Sequence, residues 1–445
     1  MGRSQRWLSR LSWFLGRNED SERFAASAVH TLEPLGPSHE LAMAYSNMSQ
    51  LRMLAGDRDA TRRWGDKALE LARRIDDREV EIQGLNNLGS IRVLVGDLGG
   101  IAQIEQSLEL ALADDAQEHA ARAYTNLGSA LVVIRQFALA GRYLRDGIGY
   151  CADHDLDSWR LYMSSWLARS LVEQGYSAKA QPYLDDVLRH PRVAPPSRIV
   201  ALAVAGQVAI RRGDDATDVL DEALRLAAAT GEAQRLAPVA SARAEAAWTQ
   251  GRTEAVVDEI EAAWQAELAN PEAWEAGELC WWLTLAGAPR DASVPLPRPF
   301  ALMCEGEFRA AAEAWRELAS PLWEARALCA SADLDDARAG LDLLAGAGLA
   351  ATREAALRER HARGLPIPRG PRPSSRSNAA GLTVREVEVL ELLAEGLSNA
   401  DLAKRLYLSE KTVGHHVSAV LRKLDEPTRA RAVAKARRTG IVTRI

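Results

Sequence analysis

The chain has 445 residues, of which 47% are apolar and 26% are charged, and its formal net charge is −6. This composition is typical of a globular chain and excludes wholesale disorder, and the length suits two or three domains. No apolar run reaches the roughly 20 residues that a bilayer requires, and the N-terminus lacks the pattern of a secretory signal. The four cysteines lie far apart without a CxxC pair, so we predict a cytoplasmic protein with no membrane segment.

The net charge is unevenly distributed along the chain. The last 65 residues, from Gly381, carry 12 Lys and Arg against 8 Asp and Glu, whereas the preceding 380 residues have a net charge of −10. Four of the six lysines also fall in that last stretch. A basic end on an acidic body indicates that the C-terminal segment binds a polyanion and that the body does not.

The first 270 residues repeat a turn signal about every 40 residues. The signals are Gly16-Arg17, Gly56-Asp57, Gly96-Asp97, Gln136-Phe137, Gly175-Tyr176, Gly213-Asp214 and Gly251-Arg252. Segments with apolar residues at helical spacing stand on both sides of each turn, such as Leu85 and Leu88 before the third turn and Ile104 and Leu108 after it. Two helices joined by a short turn cannot bury their apolar faces alone, so such hairpins must stack on one another. We predict an all-α solenoid over residues 1–270, and its pattern resembles the tetratricopeptide class with longer helices than the usual 34-residue unit.

Beyond residue 270 the period blurs, because Pro271, Pro289, Pro295, Pro297 and Pro299 interrupt the helical pattern. We predict that residues 271–362 form an irregular helical extension of the repeat body. Its tryptophans are expected to pack in the hairpin core rather than to form a ligand cage; they include Trp274, Trp281 and Trp282. Residues 363–380 are rich in Pro, Arg and Ser and are predicted to be a linker between domains.

Residues 381–445 are predicted to form four short helices. Thr383 and Glu386 form a capping box at the first helix, and Gly396 ends it. The other boundaries are Asn399 to Leu406 after Ser398, a third helix from Ser409 to about Leu424, and a fourth that follows Pro427 and ends near Gly440. Two short helices joined by a tight turn, with the second one longer and basic, are typical of a helix-turn-helix, here at about Ala400 to Ala419.

The third of these helices has two faces of different chemistry. Val413, Val417, Val420 and Leu424 have the spacing of an inward-facing apolar stripe, and the opposite stripe is wholly polar. Base edges in the DNA major groove present hydrogen-bond donors and acceptors, which is what a polar stripe on one helix can read. We predict DNA contacts from Lys411, Thr412, His415, His416, Ser418, Arg422 and Lys404. An ordinary amphipathic surface helix would explain the stripe alone, but not the capped turn, the helix order and the basic charge together.

The residues of this segment resemble those of a known family of domains. The stretch Leu382 to Leu390, then Gly396 to Asn399, Leu402-Ala403, Thr412-Val413, His416, Lys423-Leu424, Arg429, Ala432-Val433 and Gly440-Ile441 closely resembles the LuxR-type DNA-binding domain. The resemblance implies a four-helix domain whose third helix enters the major groove, which binds DNA as a dimer, and whose fourth helix commonly assists dimerisation. Three residues depart from the pattern. Gly414 stands where many members have Lys, Asp425 replaces the usual helix-ending Gly, and Glu426 stands where an apolar residue is common.

The body and tail together also look like the C-terminal part of the large ATP-dependent LuxR-type regulators. No GxxxxGK[ST] segment is present, so the chain is either a standalone relative or a truncated version. None of the eight histidines has a metal-ligand spacing such as HExxH. We therefore predict a protein that is not an enzyme, with no catalytic residues, no cofactor and no metal site.

The predicted function is that of a DNA-binding transcriptional regulator. Its expected partners are double-stranded DNA, a second copy of the chain on that DNA, and an unknown effector on the repeat body, which is a protein, a peptide or a small molecule. The alternative is an interaction scaffold of helical repeats whose C-terminal domain serves mainly oligomerisation.

Overall fold

The computed structural model describes residues 1–269, 271–368 and 380–442, and it describes only the backbone at Val384. Within these residues the chain is all-α and contains no strand. The helices are α1 (Gly2–Phe14), α2 (Asn18–Leu32), α3 (His39–Leu54), α4 (Arg58–Ile75), α5 (Arg78–Leu94), α6 (Gly99–Ala113), α7 (Gln117–Val133), α8 (Phe137–Asp153), α9 (Asp157–Glu173), α10 (Ser177–Arg189), α11 (Pro195–Arg212), α12 (Thr217–Thr230), α13 (Ala233–Thr249), α14 (Val256–Ala269), α15 (Ala273–Leu285), α16 (Arg298–Glu305), α17 (Phe308–Glu317), α18 (Pro321–Ala330), α19 (Leu334–Gly346), α20 (Ala350–Ala362), α21 (Val384–Ala394), α22 (Asn399–Leu406), α23 (Glu410–Lys423) and α24 (Arg429–Arg438). Two short 3₁₀ turns, Glu33–Leu35 and Thr253–Ala255, precede α3 and α14.

The chain divides into two compact units, Met1–Ile367 and Pro368–Ile445. The predicted linker is described only at its two ends, because residues 369–379 lie outside the described part of the chain. Its first residues belong to the packing of the first unit. The guanidinium of Arg360 in α20 donates 2.6 Å hydrogen bonds to the carbonyl oxygens of Cys329 and Pro366, which holds residues 363–366 against the body.

The first unit contains the predicted solenoid of helical hairpins. Each of the seven turn signals joins two consecutive helices, beginning with α1 and α2 and ending with α13 and α14. Six of the turns contain a glycine with positive φ, between 72° at Gly16 and 94° at Gly213. The fourth turn has no glycine, and Arg135 takes the left-handed conformation there at φ 62°. A buried ion pair of 2.6 Å with Glu173 holds the Arg135 side chain in place.

Neighbouring hairpins pack through small residues where their helices cross. At the crossing of α5 and α6, a Cβ added to Gly100 would lie 2.4 Å from the carbonyl oxygen of Gly89, so only glycine permits this approach. Around such crossings three large apolar clusters run along the body. Leu127, Leu131 and Leu144 are among the side chains that these clusters bury completely.

After α15 the hairpins resume in shorter form. Helices α16 and α17 pack as one pair and α18 and α19 as the next, and α20 then packs against both α11 and α13. Residues 271–362 thus contain helices α15 to α20, and α20 folds back onto earlier repeats. The tryptophans lie in the core: Trp282 is 1% exposed, Trp281 is buried, and half-buried Trp274 meets Phe300 edge to face at 6.2 Å.

The first hairpin also contacts the end of α12, more than 200 residues later in the chain. Trp13 Nε1 donates to Glu232 Oε1 at 2.9 Å, and Asn18 Nδ2 donates to the carbonyl oxygen of Thr230 at 2.6 Å. Phe14 meets the ring of Trp159 edge to face at 6.2 Å. These contacts show that the solenoid coils far enough for its first turn to touch a later one.

No helix in the described part of the chain combines the length and apolar character needed to cross a membrane.

Candidate nucleic-acid interface

The second unit is built on the apolar stripe of α23. Val413, Val417, Val420 and Leu424 are all at most 5% exposed, as the sequence predicts. Val413 and Val417 pack with Leu393 and Leu402 of α21 and α22, and Val420 and Leu424 pack with Leu390 and with Ala436 of α24. The stripe therefore anchors α23 to all three neighbouring helices and fixes which of its faces points outward.

Polar caps set the start of every helix in this unit. The predicted capping box at α21 is present, because the Thr383 hydroxyl accepts from the Glu386 amide at 3.1 Å and the Glu386 carboxylate accepts from the Thr383 amide at 2.7 Å. Ser398 and Asp401 form a second capping box at α22. Ser409 caps α23 by accepting from the Thr412 amide at 3.1 Å.

The fourth helix follows Pro427, as the sequence predicts. Pro427 lies before the N-cap, and Thr428 caps α24 by accepting from the Arg431 amide. Pro427 therefore lies outside the first turn, because the hydroxyl one residue later provides the start signal.

The turn between α22 and α23 is tight. Tyr407 takes a left-handed conformation at φ 53°, and its amide and that of Leu408 bond back to carbonyls of α22. Its side chain is 96% exposed. The turn fixes the crossing of α22 and α23 and leaves an aromatic ring in solvent beside them.

The predicted contact residues lie on the outer part of these two helices. The residues of the polar stripe each stand two positions before a residue of the buried stripe, which places them about 200° around the helix from it. Lys411, His415, Ser418 and Arg422 are exposed there, and Lys404 is exposed on α22. Thr412 and His416 are half-buried at the flank of the stripe, and the Thr412 hydroxyl lies 2.8 Å from that of Ser409. The structure therefore brings the seven predicted residues together on two adjacent helices.

The cations of this unit fall into two groups by what their side chains contact. Several are committed to the fold through hydrogen bonds to helix-end carbonyls: Arg385 to Leu406 O, Lys435 to Leu424 O and Arg437 to Ala394 O. By contrast, Lys404, Lys411 and Arg422 make no ion pair or side-chain hydrogen bond with any residue in the described stretch 380–442. Three of the predicted contact residues are thus cations with no role in holding the domain together.

Lys423 is another cation whose side chain bonds to residues of the domain. Its Nζ donates to Glu386 Oε2 at 2.6 Å and to the carbonyl oxygen of Gly381 at 3.1 Å. Burial acts to raise the pKa of Glu386, but the hydrogen bonds from Lys423 and Thr383 outweigh it, and the pKa lies below its usual range. The agreement of Lys423 with the LuxR-type sequence pattern is therefore explained by its role in holding the domain together.

Three further exposed cations were not predicted as contacts. They are Arg405 at the end of α22 and Arg429 and Arg438 on α24, and their side chains also make no ion pair or hydrogen bond among residues 380–442. The excess of basic residues in this segment was the available signal. The sequence does not separate them from Arg385 or Arg437, because only the packed structure shows which carbonyls lie within reach.

The three departures from the family pattern are each accommodated. A Cβ at Gly414 would meet no atom within 4 Å. Asp425 ends α23 in the left-handed conformation at φ 49°, which glycine adopts with less strain. Glu426 is half-buried and its carboxylate lies 3.2 Å from Arg431, so an ion pair replaces the usual apolar contact.

A capped helix, a tight left-handed turn and a longer helix with one buried and one polar face define a helix-turn-helix domain. Residues 380–436 match the family described as bacterial regulatory proteins, luxR family. The C-terminal unit therefore carries a LuxR-type helix-turn-helix domain.

Similar proteins include several bacterial regulators. The chain is 47% identical over 64 residues to the transcriptional regulatory protein YxjL of Bacillus subtilis, covering 14% of this chain and 29% of that one. It is 46% identical over 61 residues to DegU of Brevibacillus brevis, covering 14% and 26%, and 30% identical over 71 residues to AlkS of Alcanivorax borkumensis, covering 16% and 8%. The chain thus spans less than a third of the length of each of these relatives.

Among solved structures, a human IFIT1 dimer with PPP-AAAA has a TM-score of 0.38 and 14% identity, and the alignment covers 81% of this chain and 90% of that one. In the described residues of this chain, no three His, Cys, Asp or Glu side chains are grouped as metal ligands would be.

Proposed function

We propose that this protein is a transcriptional regulator that binds double-stranded DNA through α23, with the second unit acting as a dimer on DNA and the repeat body receiving an effector. The C-terminal domain type and the relatives that are transcriptional regulators support this proposal.

One observation carries the DNA-binding part. The outer stripe of α23 presents Lys411, His415 and Arg422 to solvent, and the two strong cations among them make no contact that the fold requires. Desolvating such cations would be unfavourable in a protein–protein contact that lacked matching anions, whereas DNA supplies phosphates and acceptor atoms. In this proposal Lys411, near the start of α23, pairs with a phosphate, and Arg422 and Ser418 contact base edges.

The test begins with selection of bound sequences from random DNA by the purified full chain. Binding of the selected sequence is then measured by fluorescence anisotropy over a series of salt concentrations. Each cation at a phosphate contributes nearly one unit to the slope of log affinity against log salt. We expect Lys411→Ala to lower that slope by about one unit, and Arg422→Ala to weaken binding by about 1–3 kcal/mol.

Lys179→Ala is the matched control, because Lys179 is an exposed lysine of the repeat body whose ammonium lies over the ring of Tyr176 and forms no ion pair among the described residues. It removes the same charge and should leave both affinity and salt slope unchanged. If Lys411→Ala and Arg422→Ala both bind as tightly as the unaltered chain, the assignment of the outer stripe is wrong.

The dimeric part is tested by the same selection. A two-fold symmetric dimer selects two half-sites related by symmetry at a fixed spacing, whereas a monomer selects one. Sedimentation of the complex on a single selected duplex should show two chains. A one-chain complex on a single half-site would contradict this part alone.

The interaction scaffold remains the second candidate. It predicts that the C-terminal unit self-associates and that no sequence is enriched from random DNA. Selection therefore separates the two functions directly, since oligomerisation without enrichment would favour the scaffold.

A further inference from the structure

A groove of about 830 Å³ lies between α1 and the beginnings of later helices in the first unit, and the helix-turn-helix does not use it. We call it the N-terminal groove. Its walls include Arg6, Trp7, Arg10 and Phe14 of α1, Glu118 of α7 and Trp159 of α9. The volume falls within the range of sites for small organic ligands, which is about 300–1,000 Å³.

The walls of the N-terminal groove expose apolar surface. Trp7 is 45% exposed, Leu11 and Leu15 are more exposed still, and Phe14 and Trp159 stand edge to face across the groove. Apolar side chains left in solvent at a concave surface favour a ligand that covers them, because removal of their area from water is favourable.

Two guanidinium groups of α1 in the groove have no ionic partner among the described residues. Arg6 is only 4% exposed, and its Nε has no hydrogen-bond partner among the described residues. Arg6 and Arg10 form no ion pair within the described residues, and each contacts the ring of Trp7, at 4.9 and 5.3 Å from its centroid. Burial, followed by the charge of Arg10, lowers the pKa of Arg6, and the carboxylates of Glu40 and Glu79 offset this only in part.

A third cation strengthens this imbalance. Arg122 of α7 lies outside the groove lining and is 3% exposed, and within the described residues its side chain makes one hydrogen bond, to the neutral amide oxygen of Asn87. Burial, and then the charge of Arg10, lowers the pKa of Arg122 to about 9.

Three carboxylates act on Arg6 and Arg10 from beyond ion-pair distance: Glu40, Glu79 and Glu118. Glu40 lies 3.9 Å from Arg3. Glu79 lies 3.2 Å from His119 Nε2 and 3.9 Å from His39. Glu118 accepts a hydrogen bond of 2.9 Å from Trp159 Nε1. None of the three comes within 4 Å of Arg6 or Arg10, and a buried cation without a direct partner is unfavourable, so it favours an added anion.

We propose that the N-terminal groove binds a compact organic anion, whose carboxylate or phosphate group pairs with Arg6 and Arg10 and whose aromatic or apolar body packs on Trp7, Phe14 and Trp159. Asp155, Asp157 and Arg192 are exposed residues of the groove lining, and the two carboxylates oppose the excess of positive charge that a polyanion would require. This anion would be the effector of the proposed function. Its regulatory effect rests on that function, whereas its binding to the groove does not.

The test measures binding to the full chain by isothermal titration calorimetry in the absence of DNA. Four probes separate the contributions: 3-phenylpropionate and phenyl phosphate carry the two anionic groups, phenethylamine carries a cation on a similar body, and inorganic phosphate lacks the body. We expect one or both aromatic anions to bind, and phenethylamine and inorganic phosphate to bind at least about tenfold more weakly. The better of the two anions identifies the acidic group.

Substitutions in the N-terminal groove test whether the anion binds there. Arg10→Gln and Trp7→Ala should each weaken binding of the better anion by about tenfold or more, whereas Arg73→Gln, an exposed arginine of α4, should leave it unchanged. Thermal unfolding of each variant shows whether the fold is retained, and Arg6 is left unaltered because it is so deeply buried.

Absence of binding by both aromatic anions, equal binding of phenethylamine, or full affinity in both Arg10→Gln and Trp7→Ala would each overturn the proposal. Because these titrations contain no DNA, their failure leaves the DNA-binding proposal standing, and failure of DNA binding leaves the groove proposal standing.

Discussion

Lys423 differs from Lys411 and Arg422, the other two cations of α23, because its ammonium group contacts other residues of the domain. It bridges the first capping box to the end of α23 through Glu386 and the carbonyl of Gly381. Replacing it leaves a buried carboxylate without its charged donor, which generally costs about 1–2 kcal/mol. We expect Lys423→Ala to weaken the protection of α21–α24 amides in hydrogen exchange by this amount.

The same variant should leave the salt slope of DNA binding unchanged, since its ammonium is already paired in the free protein. A slope that falls by a full unit in Lys423→Ala would instead place this residue at a phosphate.

Three glutamates at the junction of α14 and α15 make the body sensitive to pH. Burial raises the pKa of Glu267 and of Glu272 to about 7, and burial and the neighbouring carboxylates raise that of Glu275 well above its usual value. Unfolded glutamates titrate near 4.5, so the folded state holds more protons between this value and 7. Stability is therefore present at low pH and is lost as pH rises through that window.

We expect Glu267→Gln, at a side chain only 2% exposed, to remove part of this dependence. Relative to the unaltered chain, the variant should gain roughly 1–3 kcal/mol between pH 5 and pH 8, measured by urea unfolding followed through tryptophan fluorescence. Glu313→Gln alters an exposed acid of α17 and should show no such gain. A variant with the same pH profile as the unaltered chain would contradict the role of burial.

At the scale of single elements, α23 carries one local conflict, because Gly414 stands inside a helix. Glycine is less favourable than alanine there by about 1 kcal/mol, and an added Cβ meets nothing within 4 Å. We expect Gly414→Ala to stabilise α21–α24 by about 0.5–1 kcal/mol in hydrogen exchange of the DNA-free chain. Gly396→Ala, at φ 85°, should do the opposite. Equal effects of the two changes would show that backbone conformation does not decide the outcome.

Most elements could be predicted from local signals. The capping pairs Thr383/Glu386 and Ser398/Asp401 lie three residues apart, and the 40-residue period places every hairpin turn of the first 270 residues. The fourth turn shows the limit of this approach. A turn signal without glycine was recognised at Gln136, but its left-handed residue is Arg135, which a buried ion pair with Glu173 stabilises across hairpins.

At the scale of the whole molecule, the division into two units predicts independent folding of the second. Its clusters around Leu390 and Leu402 contain only residues of that unit. We expect a fragment of residues 368–445 to retain its helices in circular dichroism and to bind the selected DNA with the same salt slope as the full chain. Loss of helix in the fragment would contradict this prediction.

The fragment also tests the role of the body. If an effector acts through the repeats, regulation of a reporter promoter by the full chain should change with effector while that by the fragment should not. Identical regulation by both would contradict an effector role for the body.

The sequence by itself determined the all-α class, the hairpin period, the helix caps and the polar stripe of α23, because each depends on residues a few positions apart. Only the tertiary structure decided which cations are free, how α20 returns to α11, and how Trp13 meets Glu232. Those contacts depend on the small rotation between successive hairpins, which accumulates over many repeats. No short stretch of sequence encodes this accumulated rotation. Neither the N-terminal groove nor its unpaired arginines could therefore be predicted from the sequence.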